Sequence, residues 1–309
     1  MINYLGGGVD ALKFKRDKRY REVLLENFNC LYPQNAFKFD VTCGKDLSFS
    51  FEKRDAFLTK LPEGFAYRIN CLFWDYSMLK RLSVIPVGER WRFLEEWIKR
   101  LLAPVGVNCV GIDVVNEPFR IVEGRAVSCS LGTILGDDWI ECSLSLVKSI
   151  RPDLDLFVCQ HQVAHKSIQI ALKLLAAKKL PEVNFALQCT SSFFAVDRFD
   201  ISKFIDTLPG TIHIPEVTVW RYRIGDRPVH SIFKEQKYWQ KKQIKAYIQL
   251  IGLLLQGQNI ELIGFWEPCL GRTFYYQDDE PGFLDTKNGI MNEELKNLFK
   301  NEFNRTAWS

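Results

Sequence analysis

The chain has 309 residues, of which 47% are hydrophobic and 13% aromatic, so it can bury a large core as one large domain or as two small ones. Its formal net charge of +4 is far below that of proteins whose affinity comes from neutralising nucleic-acid phosphates. No segment is apolar for long enough to span a membrane, and the N-terminus lacks the basic and apolar regions of a signal peptide. We therefore expect a monomer that binds neither nucleic acid nor membranes. We expect it to be cytoplasmic if the chain is complete and secreted if a leader was removed.

The nine cysteines are scattered from Cys30 to Cys269 and include no Cys-x-x-Cys pair. Several of them, such as Cys71 and Cys159, lie in apolar segments. This pattern favours buried, reduced thiols over a disulfide framework or a zinc site. We expect neither a metal nor a cofactor.

Short apolar runs alternate with amphipathic stretches along the whole chain, without a low-complexity linker or a short repeat. The predicted strands span residues 4–9, 28–32, 66–73, 107–115, 154–159, 183–187, 211–214 and 261–266. The predicted helices span residues 20–27, 51–60, 89–102, 137–149, 167–177, 201–207, 233–256 and 292–299. This alternation predicts a single α/β domain over residues 1–309, a (β/α)8 TIM barrel, although an open doubly wound sheet would give the same alternation. In a barrel the functional residues lie where strands end and loops begin.

Two glutamates stand at such strand ends. The fourth predicted strand ends in Asn116 and Glu117, and a proline that cannot continue the ladder follows. The seventh supplies Glu216 directly after Pro215, which we also take to mark the end of regular pairing. Hydrolysis of a glycosidic bond requires such a pair, in which one acid protonates the leaving oxygen and one carboxylate attacks or activates water. Their mutual repulsion helps to keep the acid protonated near neutral pH.

The eighth predicted strand brings Trp266 to the same mouth, either as a wall for a sugar ring or as a core residue. Glu267 follows it and also precedes a proline. It is the alternative to Glu216 as the nucleophile.

The segments around both glutamates resemble glycoside hydrolase family 10, the xylanase-type barrels. Asp113-Val-Val-Asn-Glu117 is similar to the acid/base motif of that family, and Ile212-His-Ile-Pro-Glu-Val217 is similar to the strand that bears its nucleophile. Residues 28–40 resemble the family segment Phe-Asn-x-x-x-Pro-Glu-Asn-x-Met-Lys-Trp, and Arg68-Ile-Asn-Cys-Leu-Phe-Trp74 resembles the third-strand motif. Phe265-Trp266 followed by Phe283-Leu-Asp285 resembles the eighth strand and closing loop, so the resemblance covers nearly the whole chain.

The resemblance implies a retaining glycoside hydrolase of the endo-1,4-β-xylanase type, which acts on a β-linked polysaccharide or oligosaccharide. Glu117 is then the acid/base and Glu216 the nucleophile, with their carboxyl groups about 5–5.5 Å apart. The residues it implies for sugar binding are Asn35, Lys38, Asn70, Trp74, Asn116, Gln188 and Trp266. The alternative is a barrel that binds a glycan with little or no turnover.

Several positions depart from the pattern of the family. Gln34 stands where the family has Glu, and Asn70 and Asp75 stand where the third-strand motif has histidines. Thr190 and Thr218 stand for the histidine and aspartate that hold the family's nucleophile in place. Because threonine supplies neither an imidazolium nor a carboxylate, we expect either weak hydrolysis of plain xylan or a different β-glycan substrate.

Three other patterns suggest rival functions. Gly6-Gly-Gly-Val-Asp-Ala11 satisfies a dinucleotide fingerprint, but no acid ends the second strand to bind a ribose, so we interpret the glycines as close packing in the first strand. His161 and His165 are spaced like metal ligands on a helix, yet no nearby glutamate completes a metalloprotease motif, and we favour loop and helix-cap roles. The stretch from Lys234 to Lys245 carries apolar residues at helical spacing, which favours a solvated helix face over a nucleic-acid or membrane surface.

Overall fold

The computed structural model describes residues 2–178, 180, 183–192, 201–220, 236–269, 283–285 and 289–302. Eight parallel strands close into a barrel in chain order, and the first strand pairs with the last. They are β1 Tyr4–Val9, β2 Cys30–Pro33, β3 Ala66–Ile69, β4 Cys109–Asn116, β5 Leu156–Gln160, β6 Val183–Ser192, β7 Ile212–Trp220 and β8 Ile260–Phe265. The predicted (β/α)8 barrel is confirmed, and each predicted strand is present.

Helices follow the strands around the outside of the barrel. They are α1 Ala11–Arg16, α2 Lys18–Asn27, α3 Phe39–Thr42, α4 Glu52–Leu58, α5 Asp75–Leu82, α6 Arg90–Leu102, α7 Leu131–Leu135, α8 Trp139–Ile150, α9 Lys166–Ala176, α10 Ser202–Ile205, α11 Gln236–Leu254 and α12 Glu293–Glu302. In α6, for example, Leu94, Trp97 and Leu101 recur at helical spacing and are fully buried. Within the part of the chain that the structure describes, no helix is both long and apolar enough to cross a membrane.

The predicted pattern missed the short elements at strand ends. The structure adds the helices α1, α3, α5 and α7, and an antiparallel hairpin of Phe119–Val122 and Arg125–Ser128 that follows β4. We call this the rim hairpin. A four-residue strand is too short to show periodicity against its surroundings, so these elements give no clear sequence signal.

The glycines of β1 allow close packing inside the barrel, as predicted. A Cβ on Gly6 would lie 2.9 Å from the ring of Tyr32, and one on Gly8 would lie 2.1 Å from the carbonyl oxygen of Trp266. Side chains of any size at these positions would collide with groups that line the mouth.

A buried polar network fills the barrel interior. Arg68 forms a two-pronged ion pair with Asp113, and both side chains are fully buried. The Nε of Arg68 donates to Nδ1 of His213 over 3.1 Å, so the other ring nitrogen of His213 carries the proton that faces Glu261 at 3.3 Å. Burial lowers the pKa of His213 to about 4, and the ring therefore stays neutral at physiological pH. Because every partner is fixed, this network sets the positions of strands β3, β4, β7 and β8 relative to one another.

Two of the rival patterns have structural explanations among the described residues. His165 caps α9, where its Nδ1 accepts from the backbone N–H of Ser167 at 3.3 Å. In α11 the side chains of Lys241 and Lys245 are exposed while Ile244 and Tyr247 are buried, as predicted for a solvated helix face. The beginning of the Lys-rich stretch, residues 234–235, lies outside the described residues.

Candidate active site

Glu117 follows directly after the last residue of β4, at the open mouth of the barrel. Its φ of +53° lies in the left-handed region, which is rare for a residue with a side chain and is concentrated at functional sites. The backbone N–H of Glu117 donates to the carbonyl of Cys159 over 2.7 Å, which ties this conformation to strand β5. The carboxylate is fixed as well, since Nε1 of Trp74 donates to its Oε2 over 3.0 Å and Nδ1 of His161 lies 3.6 Å from the same oxygen.

Glu216 reaches the mouth through a bulge in β7. Between the pairs Ala186–His213 and Gln188–Glu216, β6 advances two residues while β7 advances three. The extra residue sits beside Pro215, which has no N–H for the ladder and is tolerated at a bulge. The strand then continues to Trp220, so our expectation that Pro215 ends regular pairing was wrong. The bulge turns the Glu216 side chain without ending the strand.

The environment of Glu216 favours its neutral form. Burial, and to a smaller extent the nearby charges of Glu117 and Glu267, raise the pKa of Glu216 to about 8, while Lys38 acts in the opposite direction. The two predicted catalytic carboxylates are thus close enough to interact electrostatically. Glu267, the alternative nucleophile, belongs to the same group of charges and is 8% exposed.

Lys38 lies between two indoles at the mouth. Its Nζ lies 4.5 Å from the ring centroid of Trp74 and 5.2 Å from that of Trp266. The ring of Trp266 in turn stacks on Tyr32, whose hydroxyl donates to the carbonyl oxygen of Pro215. This series of contacts connects the lysine to the strand that carries the predicted nucleophile.

Among the other predicted sugar ligands, the structure brings two together beside the glutamates. Nε2 of Gln188 donates to Oδ1 of Asn116 over 3.4 Å, and Gln188 is the register partner of Glu216. Asn35 lies in the turn before Lys38, where its carbonyl accepts from the backbone N–H of the lysine. Asn70 is 6% exposed and donates from Nδ2 to Asp113 over 3.0 Å, so it belongs to the network inside the barrel.

Thr190 and Thr218 are register partners two pairs beyond Gln188 and Glu216. Because alternate residues of a strand share a face, both threonines point to the same side of the barrel as Glu216. The two departures from the family pattern therefore lie together, next to the predicted nucleophile.

Three contacts of the site were not predicted from the sequence. His161 approaches Glu117, as described above, and it is partly exposed. The side chain of Gln160 both accepts from the N–H and donates to the carbonyl of Phe119, at 3.1 and 3.0 Å, and so fixes the rim hairpin. Arg120 of that hairpin pairs with the buried Asp75. Among the described residues no group of three or more His, Cys, Asp or Glu side chains is arranged to hold a metal ion.

The family is decided by a comparison of sequences. The sequence profile of glycosyl hydrolase family 10 matches residues 2–288. The chain belongs to glycosyl hydrolase family 10. This membership makes it a glycoside hydrolase with carbohydrate as its class of substrate. No curated protein matches the chain.

Solved structures of family 10 xylanases share the fold. An endoxylanase retrieved from a sugarcane soil metagenome matches with a TM-score of 0.81, at 17% identity over 97% of both chains. The endo-1,4-β-xylanase of Caldicellulosiruptor owensensis matches with a TM-score of 0.80, at 19% identity over 94% of both chains. Xylanase 10B of Thermotoga petrophila, in complex with xylobiose, gives 0.78 at 18% identity, over 97% of this chain and 94% of that one. At these identities the likeness concerns the fold.

Proposed function

We propose that this family 10 glycoside hydrolase is a retaining, xylanase-like enzyme that cleaves a β-linked polysaccharide or oligosaccharide with Glu117 and Glu216. The observation that carries the proposal is the meeting of two strand-end glutamates at one mouth, close enough for each charge to act on the other. A double displacement needs two carboxyl groups about 5–5.5 Å apart, so that one can attack the sugar without an intervening water.

In the proposed first step, the ionised carboxylate of Glu216 attacks the anomeric carbon and forms an ester bond to the sugar. The glycosidic C–O bond breaks, and Glu117 gives its proton to the leaving oxygen. In the second step Glu117 removes a proton from water, the resulting hydroxide attacks the same carbon, and Glu216 leaves as a carboxylate. The net reaction consumes one water, restores both glutamates and retains the configuration at the anomeric carbon.

The residues around Glu117 support its role as acid and base. The Trp74 indole and the His161 ring both approach Oε2 of Glu117, so they hold the carboxyl group in one orientation. An acid/base catalyst must keep its geometry through both steps, because misplacement by about 1 Å can cost on the order of 100-fold in rate.

A second candidate function is glycan binding with little turnover, and one observation favours it. A nucleophile must be ionised, yet the pKa of Glu216 is raised to about 8. In addition, the neutral residues Thr190 and Thr218 stand near it, where the family pattern has a histidine and an aspartate. At neutral pH only a minor fraction of the free protein would then carry the attacking carboxylate. The two candidate functions differ in the rate of turnover that they predict, and both place the glycan at the same mouth of the barrel.

The test is a panel of aryl β-glycosides and soluble β-glycans with the purified protein between pH 5 and about 10, a range that spans the raised carboxyl pKa. We expect a bell-shaped pH dependence of turnover, because Glu216 must be ionised while Glu117 is protonated, and retention of configuration by NMR. Glu216→Ala should abolish turnover and leave folding and ligand binding largely intact. Loss of activity on Glu267→Ala with full activity in Glu216→Ala would instead assign the nucleophile to Glu267. Glycan binding without turnover at any pH would establish the second candidate.

A further inference from the structure

The rim hairpin and the start of α5 form an ion pair beside Glu117. Asp75 is the first residue of α5 and is 1% exposed, and its carboxylate accepts from Nη2 of Arg120 in the rim hairpin. The Arg120 side chain is 34% exposed. The two residues come from the loops after β3 and β4, which are neighbouring strands of the barrel. The pair therefore lies at the catalytic end of the barrel.

The guanidinium of Arg120 is held in place from several sides. Asp75 binds one of its nitrogens, and the ring of Tyr76 lies below it with 4.6 Å from the guanidinium carbon to the ring centroid. The backbone on its N-terminal side is fixed by the two hydrogen bonds between Gln160 and Phe119. An ordered side chain of this kind loses little conformational entropy when it binds a ligand.

Among the residues that the structure describes, one edge of this guanidinium has no protein partner. Within the described ranges Nη2 donates to Asp75, whereas Nε and Nη1 make no hydrogen bond. A guanidinium presents its donors in a planar fork that fits a carboxylate, and it can bind one carboxylate on each edge. The open edge of Arg120 is thus a preformed site for a second carboxylate.

The open edge is connected to the catalytic centre by aromatic rings. Tyr76 is 68% exposed and contacts Trp74, with 5.1 Å between the ring centroids, and Trp74 is the indole that binds Glu117. A glycan that places a glycosidic bond at Glu117 and extends over these two rings would bring a substituent to Arg120. Exposed aromatic rings are suited to sugars because their faces are apolar and their edges are polar.

We propose that the Asp75–Arg120 pair is a binding site for a uronic-acid unit, so that the preferred substrate is a β-glycan that carries carboxylate groups. This inference rests on the proposed function, because the glycan must lie across the mouth at Glu117. Asp75 orients the guanidinium, Arg120 binds the carboxylate with its free edge, and Tyr76 supports the sugar beside it.

The test compares two matched ligands, a xylo-oligosaccharide substituted with glucuronic acid and the same compound after reduction of its carboxyl group to an alcohol. Binding is measured by calorimetry in the Glu216→Ala background, in which neither ligand is consumed. We expect the acidic ligand to bind about tenfold more tightly than the reduced one, the effect of one charge-assisted hydrogen-bond pair. Arg120→Gln should bring this ratio close to one, and Arg120→Lys should leave part of it, because lysine keeps the charge without the fork.

Arg125→Gln is the matched control, since it removes the same charge from an exposed position of the same hairpin. We expect the ratio to persist in this variant, and thermal melting checks that each variant folds. Equal binding of the two ligands by the Arg120-containing protein, or an equal loss of the ratio in both arginine variants, would overturn the inference. A failure of the proposed function is separate from these outcomes, because it would appear as the absence of turnover of every neutral and acidic glycan by the protein with Glu216 intact.

Discussion

The indole Nε1 of Trp74 donates a hydrogen bond of 3.0 Å to Oε2 of Glu117, and the ring of the same indole lies under the ammonium group of Lys38. One side chain therefore contacts both the predicted acid/base and the cation that acts on the predicted nucleophile. Trp74 thus connects the predicted acid/base with Lys38 through direct contacts.

Trp74→Phe tests the hydrogen bond to Glu117 while an aromatic ring remains. We expect kcat to fall about 10- to 100-fold, because a hydrogen bond to a charged group is worth about 1.5–3 kcal/mol. The loss should be largest for substrates with poor leaving groups, since those need the proton from Glu117. The measurement is kcat on a series of aryl glycosides of increasing leaving-group pKa. An equal loss across the series would mean that Trp74 acts through substrate binding instead.

Lys38→Met tests the electrostatic control of Glu216. Lys38 is the cation that lowers the pKa of Glu216, so its removal should raise that pKa further above 8. Since the attacking form is the carboxylate, the acid limb of the kcat/KM profile should move to higher pH, and activity at pH 7 should fall more than activity at pH 9. Lys45→Met is the control, because Lys45 is an exposed lysine on the same loop region. A uniform loss at every pH would show that Lys38 contributes to sugar binding alone.

Glu216→Gln tests the raised pKa without any measurement of turnover. An unfolded glutamate titrates near 4.3, whereas the pKa of Glu216 in the folded protein is about 8. Between these values the folded state holds a proton that the unfolded state has lost, so stability falls as pH rises, by up to about 1.4 kcal/mol per pH unit from this group. Below both pKa values the carboxyl group is protonated in both states and does not change the free energy of unfolding. Above both values it is ionised in both states, and its destabilising effect no longer changes with pH.

Glutamine cannot be ionised, so the Glu216→Gln variant does not lose stability in this way as the pH rises. We therefore expect Glu216→Gln to be more stable than the parent at pH 9 and nearly equal to it at pH 4, as measured by urea unfolding. Glu141→Gln is a useful comparison, because that glutamate forms a salt bridge with Lys178 and lies away from the mouth. Equal stability of Glu216→Gln and the parent at both pH values would contradict the raised pKa.

The sequence predicts this fold well because each barrel strand is an apolar run long enough to recognise, and strand ends are where chemistry is expected. Glu117 was located in this way, one residue after β4. Pro215 shows the limit of the rule. A proline near a strand end can also lie in a bulge, and only the pairing partners of β6 and β7 decide between the two.

The contacts between loops could not be predicted. Asp75 and Arg120 are 45 residues apart, and each is an ordinary charged residue in its own segment. Their pairing depends on how the start of α5 and the rim hairpin approach each other, and neither element has a strong sequence signal. The same holds for His161, whose contact with Glu117 depends on the positive φ of Glu117.

Thr190→His with Thr218→Asp tests the departure that separates this chain from the family pattern. The two positions are register partners two pairs beyond Gln188 and Glu216, and Thr218 is 3% exposed. A histidine and an aspartate there can form a charged pair that donates to Glu216 and favours its ionised form. Because exact placement of a reacting group is worth up to about 100-fold, we expect the double variant to hydrolyse unsubstituted xylo-oligosaccharides on the order of tenfold faster at pH 7.

Thr218→Asp alone should be slower than the parent, since it adds an unpaired buried carboxylate beside Glu216. Thr190→Gln with Thr218→Asn, which adds polar bulk without charge, separates the electrostatic effect from a change in packing. Rapid hydrolysis by the unaltered protein, with no gain in the double variant, would show that the two threonines are not what limits turnover.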